Sequence, residues 1–96
     1  MTTVVFRSEA RDDAIDAFRW YEDRSPGLGI EFRNALDSTI KRIAAHPHIY
    51  VAHERGLRHA PIRRFPYSVY FKLSQEIAVV VGVIHTKRHP SVAKAR

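Results

Sequence analysis

The hydrophobic and polar positions divide the chain into a short strand, two helices and three further strands. In "TTVVFR" Val4 and Phe6 fall on one side and Val5 and Arg7 on the other, the alternation of a strand with one buried face. Ser8 reads as an N-cap, with Glu9, Asp12 and Asp13 near the positive end of the helix that follows. Ala14, Ile15, Ala17, Phe18 and Tyr21 then recur at helical spacing to about Arg24, as core packing requires. "SPGLG" ends this helix and opens the next, because Pro26 starts a helix more readily than it continues one and Gly27 and Gly29 permit a tight reversal. Leu28, Phe32, Leu36, Ile40 and Ile43 form one apolar stripe that stops near Pro47, so the two helices pair as a hairpin.

Residues 47–56 are polar and histidine-rich, as in a loop. From 57 to 63, Leu57, His59 and Pro61 alternate with Arg58, Ala60 and Ile62, and Pro61 places this strand at an edge or a bulge. After a turn at Phe65-Pro66, "YSVYFKL" puts Val69, Phe71 and Leu73 on one face. "IAVVVGVIH", 77–85, is apolar on both faces, the mark of a central strand. The tail "TKRHPSVAKAR" is basic and polar. The order β-α-α-β-β-β predicts an α+β fold of two layers: a mostly antiparallel sheet with an N-terminal helix hairpin on one face. Its 96 residues form a single domain, 1–96.

Charge adds direction to this picture. Residues 1–48 carry seven basic and eight acidic side chains, a balance of −1, whereas residues 49–96 carry nine and two, a balance of +7. A basic excess confined to one half suits a polyanion or an acidic protein partner. No cysteine is present, which removes thiolate and disulfide chemistry and fits a reducing cytoplasm. The N-terminus turns acidic after a short apolar run and reads as neither a secretory signal nor a membrane span.

Three sets of residues bear chemistry. Arg58, Arg63, Arg64, Lys72, Lys87 and Arg88 are basic positions on or beside the sheet; guanidinium forks that converge make a phosphate site, and scattered ones are a solvated face. In a strand, Arg63 and Arg64 would send one side chain to each face. His85, at the end of the central strand, is either a proton carrier at neutral pH or a structural histidine. His46, His48, His53, His59, His85 and His89 follow no zinc spacing and have basic neighbours, so neither a metal nor another cofactor is expected. "PGLG" lacks the preceding strand and the Lys-Ser/Thr of a phosphate loop, and the nucleophile motifs of hydrolases are missing.

Four segments in this order, "A..DA..WYEDRSPGLGIEF", "I..I..HP..Y", "RRFPYSVYF" and "VVGVIHTKRHP", resemble the RelE/ParE superfamily of bacterial toxins from type II toxin–antitoxin modules, nearest its ParE-like branch. The resemblance runs along nearly the whole chain and implies the same β-α-α-β-β-β fold. It also implies a cytoplasmic growth inhibitor, of the kind linked to plasmid stabilization, neutralised by a cognate antitoxin in a toxin–antitoxin hetero-oligomer with no membrane involved. ParE-like members bind DNA gyrase; RelE-like members cleave mRNA on the ribosome. For the nuclease branch the resemblance implies Arg64 and His85 as catalytic positions, with Arg88, from the residues themselves, as an alternative phosphate holder; the tyrosine that this branch carries near the C-terminus has no counterpart after His85. Target or nucleic-acid contacts would come from Arg58, Arg63, Lys72 and Lys87, and antitoxin contacts from Trp20 and Tyr21. The reading that follows is gyrase inhibition by binding, with a ribosome-dependent endoribonuclease, or a non-toxic antitoxin-binding relative, as the alternatives.

Overall fold

A computed structural model describes residues 1–88 and 91–96. Strand β1 (Thr3–Phe6) leads into helices α1 (Ser8–Arg24) and α2 (Leu28–Ala45), followed by β2 (Leu57–Pro61), β3 (Tyr67–Ser74), β4 (Ile77–His85) and a short helix α3 (Ser91–Lys94). The strands form one sheet in the order β1-β4-β3-β2. β4 is central, antiparallel to β3 and parallel to β1. β2 lies at the edge, where the missing N–H of Pro61 costs least. This is the α+β architecture that the periodicity predicts.

The helix hairpin explains "WYEDRSPGLG". Gly27 has φ +90°, a left-handed conformation that glycine adopts without strain. Glu22 reaches across the turn: its Oε2 accepts from the Gly27 N–H at 2.9 Å and its Oε1 from the Gly29 N–H at 3.0 Å. A carboxylate thereby satisfies donors that the start of α2 would otherwise leave open. A Cβ on Gly29 would stand 2.7 Å from the Phe18 carbonyl oxygen, so glycine is what lets α2 approach α1.

Ser8 is not the N-cap that the sequence suggests. It is the first helical residue, and its Oγ donates to Glu9 at 3.3 Å. Arg7 holds the cap position because its own N–H is still engaged with Val80 O at 3.0 Å, an extension of the β1–β4 pairing.

The core lies between the hairpin and one sheet face. Phe32, Leu36 and Ile43 of α2 and Ala10, Ala17 and Tyr21 of α1 pack on Ala60, Ile62, Val69, Phe71, Ala78, Val80 and Val83. Tyr21, Phe32, Phe65 and Tyr67 form an aromatic cluster with ring centroids 5.0–6.2 Å apart. The opposite face is partly closed by the tail. Residues 91–94 form α3, and Ala93 is buried with Leu57, Val81 and Ile84.

Two irregularities set the functional geometry. Tyr70 pairs with Gly82 while Phe71 pairs with Val80, so Val81 is an extra residue and β4 carries a bulge. Before it, Ala78 and Val80 face the helices; after it, Val83 and His85 do. Beyond Phe6, β1 no longer covers β4. There Asp13 Oδ2 accepts from the Val83 N–H at 3.1 Å, and Arg96 donates to Val81 O at 3.2 Å and to both oxygens of Asp13 at 2.5 and 3.2 Å. This ion pair caps the strand edge that β1 leaves bare.

Candidate functional site

A cleft of about 540 Å³ opens between α1 and the ends of β3 and β4. α1 contributes Asp13, Asp16, Ala17, Trp20 and Tyr21; the sheet contributes Tyr67, Val83 and His85; Pro66 and Arg88 complete the wall. Helical spacing brings Asp13, Ala17 and Tyr21 to the sheet side, while Trp20 remains half exposed, with the Arg24 guanidinium 3.9 Å from its ring centroid.

His85 reaches this cleft because of the bulge. Strict alternation from Val80 would have turned it to the far face. Its ring lies 5.1 Å from that of Tyr67 at 74°, and its Nδ1 accepts from the Lys87 N–H at 3.0 Å. A neutral ring held this way carries its proton on Nε2. Burial raises the Tyr67 phenol above its usual pKa; Arg88 opposes this and Asp13 adds to it. Burial, with help from Tyr67, raises Tyr21 as well. Both phenols therefore remain neutral donors and acceptors near pH 7.

Four of the residues singled out in the sequence meet here: Trp20, Tyr21, His85 and Arg88. Tyr21 is 9 % exposed and belongs mainly to the aromatic cluster, so Trp20 presents most of the free surface. The other basic positions disperse. Arg58 is half-buried on the helix side of β2, where its Nη1 donates to Tyr50 O at 2.6 Å. Lys72 pairs with Leu57 and points to the far face. Lys87 is exposed beside His85.

Arg63 and Arg64 are not strand residues with one side chain on each face. β2 stops at Pro61, and both arginines sit exposed in the turn before β3. Together they line a second, smaller cleft against α2, so Arg64 stands apart from His85 and Arg88. Among the described residues no group of three His, Asp, Glu or Cys side chains is placed to hold a metal; His89 lies outside those residues. His53, His59 and Tyr70 instead stack as a ladder on the far face, with centroids 5.6 and 5.5 Å apart.

The sequence reading placed Asp13 only at the positive end of the first helix and passed over Tyr67 and Arg42. Asp13 had a readable signal: it lies three residues after Ala10 and four before Ala17, on the buried stripe, where a carboxylate requires a partner.

In architecture, the helix hairpin on a four-stranded sheet is that of the small type II toxins of the RelE/ParE superfamily. A solved structure described as the chromosomal ParDE TA system from P. aeruginosa shares the fold, with a TM-score of 0.78 at 15 % identity, covering 88 % of this chain and 96 % of that one. Toxin ParE2 of Mycobacterium tuberculosis, in strains CDC 1551 / Oshkosh and H37Rv, is 28 % identical over 85 residues, which is 88 % of this chain and 81 % of the relative. The family model for the ParE toxin of the type II toxin–antitoxin system parDE matches residues 4–90. The chain belongs to the ParE toxin family.

Proposed function

We propose that this ParE-family toxin arrests growth by binding DNA gyrase in the cytoplasm, without cutting RNA, and that a cognate antitoxin holds it inactive. One observation carries the choice of binding over cleavage: the basic side chains that a nuclease would need together are separated. Arg64 lines the α2 cleft, while His85 and Arg88 line the α1 cleft, where the Asp16 carboxylate repels a phosphate. Tyr67 adjoins His85 but is pushed away from the ionised form that a base requires. Gyrase as the target rests on membership of the ParE family.

The antitoxin reading draws support from the name of the ParDE relative and from the hairpin surface. A groove between α1 and α2, lined by Phe6, Ala14, Ile15, Phe18, Phe32 and Leu36, has Arg11 and Arg33 on its rim. Ile15 and Ile30 are 40 % and 45 % exposed. An acidic amphipathic segment would cover this apolar strip, pair with the rim arginines and reach Trp20 at the neighbouring cleft.

The test is induced expression with and without the adjacent reading frame, scoring DNA supercoiling and mRNA integrity in the same cells, with purified gyrase assayed in parallel. Loss of supercoiling with intact mRNA, relieved by the neighbour's product, is expected. Cleavage of ribosome-bound mRNA with gyrase unaffected would overturn the proposal in favour of the endoribonuclease.

A further inference from the structure

The second cleft holds about 320 Å³ and is walled by α2 on one side and by the turn between β2 and β3 on the other. Its α2 wall is Glu31, Asn34, Ala35, Ser38, Thr39 and Arg42, recurring three or four residues apart and flanking the buried stripe of Phe32, Leu36 and Ile43. The turn supplies Arg63 and Arg64. Three guanidinium groups thus face one small space that also holds a hydroxyl and a carboxamide. Glu31 is the single acid on the wall, which leaves the lining with a net charge of +2.

Among the described residues none of Arg42, Arg63 and Arg64 makes a side-chain hydrogen bond or an ion pair, although Arg7, Arg58 and Arg96 all do. Arg64 also has φ +69°, a left-handed conformation in which glycine or asparagine would sit with less strain. An exposed side chain that makes no hydrogen bond or ion pair among the described residues, and whose backbone sits in an unfavourable region, contributes nothing evident to the fold. Unfavourable backbone of this kind concentrates where a binding site needs the residue.

We propose that the Arg42–Arg63–Arg64 cleft is a binding site for phosphodiester groups of a nucleic-acid backbone, read by charge and not by base sequence. One guanidinium fork already matches the two oxygens of a carboxylate. Three forks around one cleft, with Ser38 and Asn34 as neutral donors, suit a ligand whose anionic groups repeat along a chain. The +7 balance of residues 49–96 steers such a polyanion toward the cleft. This site is separate from the cleft of His85 and Arg88 and does not depend on gyrase being the target.

The experiment measures fluorescence anisotropy of the full chain with labelled single-stranded and double-stranded oligonucleotides of several unrelated sequences, across a salt series. Arg42→Gln, Arg63→Gln and Arg64→Gln are combined in one variant. A control variant removes the same charge elsewhere through Arg19→Gln, Arg24→Gln and Arg55→Gln, all at exposed positions outside the cleft. The parent should bind every sequence alike. The cleft variant should weaken binding at least tenfold and flatten the dependence of log affinity on log salt by about 0.9 for each duplex phosphate released. The control should change affinity less than threefold. Arg64→Gly separates binding from folding: it should weaken binding while leaving the melting temperature equal or higher. Equal losses in the cleft and control variants would sink the proposal by reducing the effect to net charge. So would undetectable parental binding at low salt, or equal parental affinity for a polyglutamate chain of matched length. Supercoiling inhibition is scored separately, so this proposal and gyrase binding fail independently.

Discussion

Replacing Asp13 with alanine should destabilise the fold more than any other loss of a single surface-adjacent charge. Its carboxylate is 16 % exposed and receives the Val83 N–H at 3.1 Å and two bonds from the Arg96 guanidinium, whose own side chain is 21 % exposed. A hydrogen bond to a charged group contributes about 1.5–3 kcal/mol, and a buried donor left without a partner costs about 1–3 kcal/mol. Val83 is 2 % exposed, so its N–H gains little from water when the carboxylate goes. The ion pair is neither fully buried nor free in solvent, and its coupling belongs at about 1–2 kcal/mol, above the range of surface pairs. Allowing for overlap between these contributions, Asp13→Ala should cost about 2–4 kcal/mol. For a domain of this size that lowers the melting temperature by about 10–25 °C. Asp13→Asn keeps an oxygen for Val83 and loses the charge, so it should cost about half as much. Thermal and urea melts followed by circular dichroism, with Arg96→Met and the double variant completing a cycle, measure each quantity. A melting temperature for Asp13→Ala within about 2 °C of the parent would refute the reasoning, since so small a shift corresponds to well under 1 kcal/mol. A coupling near zero would show that Arg96 merely rests on the strand edge.

Gly29→Ala should destabilise by about 1–3 kcal/mol, because its Cβ would press on the Phe18 carbonyl at 2.7 Å and the hairpin would have to open; chemical denaturation with an unchanged m-value checks it. Phe32→Ala, at the centre of the aromatic cluster and 0 % exposed, should cost about 3–5 kcal/mol by the same assay. His59 has its pKa lowered, first by burial and then by His53. The folded state therefore binds fewer protons than the unfolded one, and stability is fully present above the ordinary histidine value and declines as pH falls through it. Melting temperatures at pH 7.5 and 5.5 should differ less in His59→Tyr than in the parent; an equal difference would dismiss His59 as the source. Antitoxin affinity should fall with ionic strength through Arg11 and Arg33, and a salt-independent affinity would assign the contact to the apolar groove alone.

What the sequence by itself determined is whatever depends on neighbours along the chain. Helical spacing in Phe32, Leu36 and Ile43, alternation in Val69, Phe71 and Leu73, and the unbroken apolar run 77–85 place the hairpin, one sheet face and the central strand, because each pattern repeats within a few residues. Pro61 marks the edge strand through its missing donor, and the sum of charges isolates the basic half. The tertiary structure decided what those patterns leave free. The bulge at Val81 reverses the facing of everything after it and turns His85 toward α1, a change of parity that no period in the residues records. Arg42 meets Arg63 and Arg64 across twenty and twenty-one intervening residues, and Asp13 meets Arg96 across 83 positions, so the two clefts exist only once the hairpin is laid on the sheet. The tail reads as polar and basic, yet Ala93 is buried and Arg96 caps β4, because β1 ends at Phe6 and leaves backbone groups of the central strand that require partners.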